Sequence, residues 1–206
     1  MDLGLRGKKA IVTGATKGIG RAVVELLAVE GVDIALCSRT AEEVESTVRA
    51  LQQRGVNVIG EALNVREGDA YKAWLERSAQ ALGGCDIFIP NVSAGGGFDS
   101  EKNWTRNFEV DVMHTVRGCE TLLPHLEKSG SGSIVILSST NALETFGVPQ
   151  AFNPTEYSLI LAPLMVDKQV AGLLEILMDP TRRAAQQKRP TRRYEANRTH
   201  GLGKPA

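Results

Sequence analysis

The stretch TGATKGIG, residues 13–20, places glycines at positions 14, 18 and 20. An apolar run precedes it and an amphipathic run follows, so it joins a predicted strand to the start of a predicted helix. Glycine at such a junction permits a tight turn and a close approach of the backbone to a pyrophosphate, and the helix N-terminus attracts phosphate. We therefore predict a dinucleotide-binding loop rather than a glycine-rich turn without a ligand, formed by Gly14, Thr16, Lys17, Gly18, Ile19 and Gly20.

The residues after the second apolar run indicate which dinucleotide the loop would take. An NAD-binding loop normally has an acidic residue at this point, which accepts a hydrogen bond from the ribose 2′-hydroxyl. This chain has Ser38 followed by Arg39, and Lys17 lies inside the glycine loop. Two cations without a carboxylate suit a 2′-phosphate, so we predict NADP as the cofactor. The alternative is that both cations are solvated surface residues.

The glycine loop and the residues after the second strand would be positioned by a sheet whose strands alternate with helices. The sequence has that pattern. Short apolar runs predict strands at 9–14, 32–38, 56–63, 85–90 and 132–139. Amphipathic runs predict helices at 18–31, 40–55, 68–82 and 101–128. Such alternation predicts an α/β fold with a Rossmann-like, doubly wound parallel sheet and helices on both faces.

Charge divides the chain into two parts. Residues 1–179 contain 16 Lys and Arg against 23 Asp and Glu, a net charge of −7, whereas residues 180–206 contain 8 against 1, a net charge of +7. We predict one cofactor-binding domain over 1–179 and a basic tail over 180–206, which we expect to be disordered because it lacks hydrophobic periodicity. Only Tyr194 interrupts its charges, so we do not expect nucleic acid as a partner.

The remaining composition favours a cytoplasmic protein without a metal site. The three cysteines, Cys37, Cys85 and Cys119, match no metal-binding or redox spacing, and their odd number argues against a disulfide framework. The longest apolar run, 159–166, has eight residues and is too short to cross a membrane. The first ten residues contain no apolar run typical of a signal peptide.

Four motifs together resemble the short-chain dehydrogenase/reductase family over roughly residues 5–152. They are TGATKGIG, the LNV that ends at residue 65, PNVSAGG at 90–96 and SIVILSS at 133–139. The resemblance implies hydride transfer between NADP(H) and a small alcohol or carbonyl compound. It also implies that Asn64 and Val65 contact adenine, and that three further residues line the cofactor: Asn91, Val92 and Ser93.

The catalytic positions implied by the resemblance depart from the family pattern. The family uses a serine, a tyrosine about thirteen residues later, a lysine four residues after that, and an asparagine on the long helix. This chain has Ser139, Phe152, Glu156 and Asp111 at these positions, and Tyr157 lies out of register. Phe152 has no hydroxyl group to transfer a proton, and Glu156 would raise the pKa of a neighbouring acid. We therefore expect impaired catalysis.

The family pattern also fades after residue 152. We expect the sheet to lack the last strands of the family fold, because no run after residue 178 reads as a strand. The family forms oligomers through two long helices, of which 104–126 remains recognisable, so a homo-oligomer is an open expectation.

Three interpretations of the departures stay open. The chain could be a working reductase with another proton source, for which Tyr157, Glu144 and Glu156 are candidates. It could be a cofactor-binding or partner-binding relative without efficient chemistry. It could also be a product altered by truncation, splicing or a frame change near residue 151, which the coding DNA would reveal in its other frames.

Overall fold

The computed structural model describes residues 3–95 and 100–138. Strands and helices alternate along the described part until the long helical stretch that precedes the last strand. The strands are β1 (Lys9–Thr13), β2 (Asp33–Ser38), β3 (Val58–Ala62), β4 (Ile87–Ile89) and β5 (Ser133–Ile134). The helices are α1 (Gly18–Val29), α2 (Ala41–Gln52), α3 (Gly68–Leu82), α4 (Glu101–Asn107) and α5 (His114–Ser129), with a π-helical turn (Phe108–Met113) between α4 and α5.

The five strands form one parallel sheet in the order β3-β2-β1-β4-β5. Lys9 pairs with Asp33 where β1 meets β2, and Ile87 pairs with Ser133 where β4 meets β5. Strands β2 and β3 lie on one side of β1, whereas β4 and β5 lie on the other, so the strand order switches between β1 and β4. The predicted Rossmann-like, doubly wound parallel sheet is confirmed, and ligands of such sheets bind outside the carboxyl ends of the strands at this switch point.

Aliphatic side chains form the core between the sheet and helices α1 and α2. Strands β1 and β2 each contribute alternate residues to this face, as expected for side chains of period two. The helices contribute residues from one side only, including Val24 and Val44. The buried members are Ala10, Val12, Ala15, Val24, Ala28, Val32, Ile34, Leu36, Val44, Leu51, Val58 and Ile89.

The core on the opposite face, against α3 and α5, includes rings and thiols as well as aliphatic groups. Gly118 in α5 permits this packing, because a Cβ there would lie 2.7 Å from Phe88 Cε1 and 2.9 Å from Tyr71 Oη. The buried members are Ile11, Ala35, Cys37, Val65, Tyr71, Trp74, Leu75, Ala79, Leu82, Cys85, Phe88, Cys119, Leu122 and Leu126.

Four observed elements differ clearly from the predicted ones. Strand β3 has five residues, β4 has three and β5 has two, shorter than the predicted 56–63, 85–90 and 132–139. The predicted helix 101–128 is divided by the π-helical turn. The expected loss of the last strands and the predicted tail at 180–206 concern residues outside the described part. Within the described residues, no helix is long and apolar enough to cross a membrane.

Candidate functional site

The loop between β1 and α1 has the backbone geometry that the glycines predicted. Gly14 and Gly18 have φ angles of 64° and 56°, in the left-handed region that favours glycine. The Gly14 N–H donates to the Cys37 carbonyl at 2.9 Å, which fixes the loop to the end of β2. No side chain of the described residues caps the N-terminus of α1. Its first backbone N–H groups can therefore serve an anionic ligand.

Gly20 and Asn91 lock this loop against the segment that follows β4. The Asn91 Nδ2 amide donates to the carbonyl oxygens of Thr13, at 3.1 Å, and Gly14, at 3.0 Å. The Asn91 N–H donates to Thr13 Oγ1 at 3.0 Å. A Cβ on Gly20 would overlap both Asn91 Nδ2 and the Gly14 carbonyl oxygen, so α1 can approach only with glycine at this position.

A cavity of about 280 Å³ opens beside the loop at the carboxyl edge of the sheet. Ten of the thirteen residues predicted to bind the cofactor line it, and Gly18, Ile19 and Gly20 lie next to it in the first turn of α1. The cavity is thus formed by the β1–α1 loop, the end of β2 and the segments after β3 and β4. Its lining residues are Gly14, Thr16, Lys17, Cys37, Ser38, Arg39, Leu63, Asn64, Val65, Arg66, Asn91, Val92, Ser93, Ala94, Arg106 and Val110.

Positive charge dominates the cavity. Among the described residues that line it, four are basic and none is acidic. Two of them, Lys17 and Arg39, were predicted from the sequence, whereas Arg66 and Arg106 were not. Burial raises the pKa of the Cys37 thiol to about 12, so this lining residue is neutral near pH 7. The cavity therefore attracts an anion.

One carboxylate, which the sequence did not single out, lies directly behind the cavity wall. Glu43, in the first turn of α2, accepts a hydrogen bond from Thr16 Oγ1 at 2.8 Å and pairs with Lys17 Nζ at 3.2 Å. Thr16 Oγ1 also lies 2.9 Å from Ser38 Oγ. The hydrogen bond from Thr16, followed by that from Lys17, lowers the pKa of Glu43. In the sequence, Glu43 could be noticed only as an acidic residue in the first turn of α2. Acidic residues there are equally well explained by the helix dipole.

Asp111, the predicted counterpart of the family asparagine, lies in the π-helical turn and is buried. Its Oδ1 accepts a hydrogen bond from the Ala94 N–H at 2.7 Å, which ties a lining residue of the cavity to the helix. His114 Nδ1 donates to the Val110 carbonyl, and Thr115 Oγ1 donates to the Asp111 carbonyl at 3.3 Å. Side chains of α5 thus donate to two carbonyl groups of the π-helical turn.

The other predicted catalytic positions, Ser139, Phe152 and Glu156, lie outside the described residues, as do Tyr157 and Glu144. Their roles stay predictions. Within the described residues, no group of three or more potential metal ligands comes together.

Comparison with protein families gives a match over residues 8–153 to the family described as short chain dehydrogenase. Dehydrogenase/reductase SDR family member 4 of Sus scrofa is 31% identical over 161 residues, which are 76% of this chain and 58% of that protein. Isoepoxydon dehydrogenase of Penicillium expansum is 32% identical over 156 residues, which are 73% of this chain and 60% of that protein. The chain thus spans less than two thirds of the length of either relative.

Among solved structures, L-sorbose reductase from Gluconobacter frateurii, complexed with NADPH and L-sorbose, superposes with a TM-score of 0.74 at 30% identity. The match covers 78% of this chain and 63% of the reductase. A short chain dehydrogenase/reductase from Burkholderia phymatum in complex with NAD has a TM-score of 0.75 at 24% identity, a likeness that concerns the fold alone.

Proposed function

This chain belongs to the short chain dehydrogenase family, and we propose that it binds NADP(H) in the cavity beside the glycine loop as an oxidoreductase of that family. The main support for this proposal is that, within the described part of the chain, four basic and no acidic residues line this cavity. A 2′-phosphate distinguishes NADP from NAD, and a cationic cavity without a carboxylate favours the phosphorylated cofactor.

The residues present fit such a dinucleotide. A Cβ on Gly18 would meet no atom within 4 Å, so the space beside the first turn of α1 is open for a pyrophosphate. Ser38, Arg39 and Lys17 would hold the 2′-phosphate. The adenine would contact Asn64 and Val65, and the rest of the cofactor would pass Asn91, Val92 and Ser93. When bound, NADPH supplies the hydride, and the protein supplies orientation and charge.

Proton transfer is the step for which this chain is poorly equipped, because Phe152 and Glu156 occupy the tyrosine and lysine positions of the family. Ser139 would orient a carbonyl but is a weak acid. We therefore propose slow turnover of a small alcohol or carbonyl compound, or cofactor binding without efficient turnover. The double variant Phe152→Tyr with Glu156→Lys should then raise the rate of carbonyl reduction at least about tenfold, since a positioned general acid contributes 10² or more.

The proposal extends to the whole chain. We place the cofactor-binding unit in residues 1–179 and treat 180–206 as a separate basic tail. A small alcohol or carbonyl substrate and a cytoplasmic location are further parts of the proposal, and a homo-oligomer stays an open expectation.

Fluorescence titration with NADPH and NADH tests the cofactor assignment. We expect saturable binding of both, with higher affinity for NADPH. Ser38→Asp should reverse the preference, because a carboxylate accepts from the ribose 2′-hydroxyl and repels the 2′-phosphate. Ser46→Asp introduces the same charge at an exposed position of α2 and is the matched control. Binding of neither cofactor to the wild-type chain would contradict the proposed function.

A further inference from the structure

We propose that Glu43 is a specificity-determining residue that weakens the recognition of the 2′-phosphate and so limits the preference for NADPH over NADH. This inference rests on the proposed cofactor site. Glu43 does not line the cavity, but it contacts Thr16 and Lys17, two residues that do. It therefore acts on the ligand through these residues.

The first effect of Glu43 is on Lys17, which the site would use to bind the 2′-phosphate. The Glu43 carboxylate lies 3.2 Å from the Lys17 ammonium, so the ligand must compete with an internal counter-ion. The Lys17 side chain is 73% exposed, and an exposed ion pair is weak. Lys17 can therefore turn towards a bound phosphate. The binding free energy gained is reduced, because the ion pair with Glu43 is lost.

The second effect concerns the direction of the hydrogen bonds between hydroxyl groups. Thr16 Oγ1 lies within hydrogen-bond distance of Glu43 Oε2 and of Ser38 Oγ, but it has one proton to donate. An ionised carboxylate only accepts, so Thr16 donates to Glu43. Ser38 must then donate to Thr16 for both bonds to form.

This direction determines what Ser38 presents to the cavity. Its proton points towards Thr16, so its lone pairs are left for a ligand. A ribose 2′-hydroxyl can donate to these lone pairs, whereas a phosphate needs a donor. Ser38 can donate to a 2′-phosphate only by giving up its bond to Thr16. Glu43 thus favours the unphosphorylated ribose through a chain of two hydroxyl groups.

Glu43→Gln removes the charge and keeps the shape. Its amide can present either an acceptor oxygen or a donor NH₂ to Thr16, so neither the ion pair nor the direction of the hydroxyl chain is fixed any longer. We expect the NADPH:NADH affinity ratio to rise about three- to tenfold, mainly through tighter binding of NADPH. Glu42→Gln, an exposed neighbour in the same turn of α2, removes the same charge and should change the ratio less than about twofold. In a Lys17→Met background the effect of Glu43→Gln should shrink, because the ion pair is already absent.

The titrations use the full chain and both cofactors in one low-salt buffer. An unchanged or lower ratio in Glu43→Gln, with the wild-type chain still preferring NADPH, would overturn this inference and leave the proposed function standing. An equal rise in Glu42→Gln would overturn it in favour of a general charge effect. A wild-type preference for NADH with a raised ratio in Glu43→Gln would correct the proposed cofactor and support the role of Glu43. No binding by any variant would overturn both.

Discussion

Helices α1 and α2 cover one face of the sheet with aliphatic side chains, whereas α3 and α5 cover the other with a core that also contains Tyr71, Trp74 and three thiols. Buried polar residues are concentrated where α4 joins α5. Four of the eight buried polar or charged residues in the described part occur between Asn107 and Thr115. The cationic cavity lies at the carboxyl edge of the sheet, where it draws on both regions.

Because of this difference, the two regions should respond differently to substitutions. On the α1 and α2 face, the candidate site depends on backbone approach at glycines and on exposed cations, which can change without disturbing the core. Near α5, the buried side chains of Asp111, His114 and Thr115 have specific hydrogen-bond partners, and losing such a partner is costly. Substitutions in the first region should change ligand binding, and those in the second should change stability.

Gly20→Ala should have the largest effect on NADPH affinity. It tests whether the glycine loop of the first region can accommodate a Cβ at this position. The new Cβ would overlap the Gly14 carbonyl oxygen, which cannot move without opening the loop. We expect NADPH affinity to fall about 100-fold or more, about 3 kcal/mol, because the phosphate-binding turn is displaced. Titration of NADPH fluorescence measures this. Leu26→Ala, at an exposed position of α1, should bind normally, and retained affinity in Gly20→Ala would contradict the geometry of the loop.

Gly118→Ala makes the corresponding change in the second region, where we expect a loss of stability. The added methyl group would enter the space of the Phe88 ring and the Tyr71 hydroxyl, both fully buried. Overpacking costs about 1–3 kcal/mol, and a better helix propensity offsets up to about 1 kcal/mol of it. We expect a net loss of about 2 kcal/mol in the free energy of unfolding, measured by urea denaturation. Glu120→Ala, exposed on the same helix, is the control, and a stability unchanged in Gly118→Ala would show that α5 can shift.

The first region could be predicted well because its signals are local. The hydrophobic pattern predicted β1, β2, α1 and α2 near their observed bounds, and the glycine spacing identified a loop whose φ angles need glycine at positions 14 and 18. Ser38, Arg39 and Lys17 line one cavity, and their contact with a 2′-phosphate stays a prediction.

The features that were missed depend on contacts between distant parts of the chain. The π-helical turn interrupts a regular helical pattern and is held by Asp111, which reaches Ala94 seventeen residues away. Glu43 became relevant only when α2 was placed against the glycine loop. Arg66 and Arg106 reach the cavity from separate segments, so no short motif could indicate them.

Acid sensitivity should originate mainly in the second region, through His114. Burial, opposed by the hydrogen bond to Val110, lowers the pKa of His114 from 6.5 to about 4. Between these values the unfolded state binds more protons than the folded one, so stability is present above about pH 6.5 and is lost as the pH falls towards 4. Because of His114, we expect the free energy of unfolding to be about 2 kcal/mol lower at pH 5 than at pH 8.

Urea denaturation at both pH values, with two variants, isolates this contribution. His114→Gln can still donate to the Val110 carbonyl but does not titrate, so its stability should fall less between pH 8 and pH 5. Ser46→Ala changes an exposed position of α2 that carries no titratable group and should keep the wild-type slope. Equal slopes in the wild-type chain and His114→Gln would show that the acid sensitivity lies elsewhere.

Arg39→Met should have the smallest effect on NADPH affinity. It should also separate ligand binding from stability most clearly. Arg39 is exposed and lines the cavity, so its loss removes a cation from the proposed 2′-phosphate contact and disturbs no core packing. We expect NADPH affinity to fall about three- to tenfold at low salt, with NADH affinity and the free energy of unfolding unchanged. Arg77→Met removes an exposed cation that pairs with Glu61 at 3.0 Å, away from the cavity lining, and should leave both affinities unchanged. An equal loss of NADPH and NADH affinity in Arg39→Met would assign Arg39 to the shared part of the two cofactors and remove it from the recognition of the phosphate.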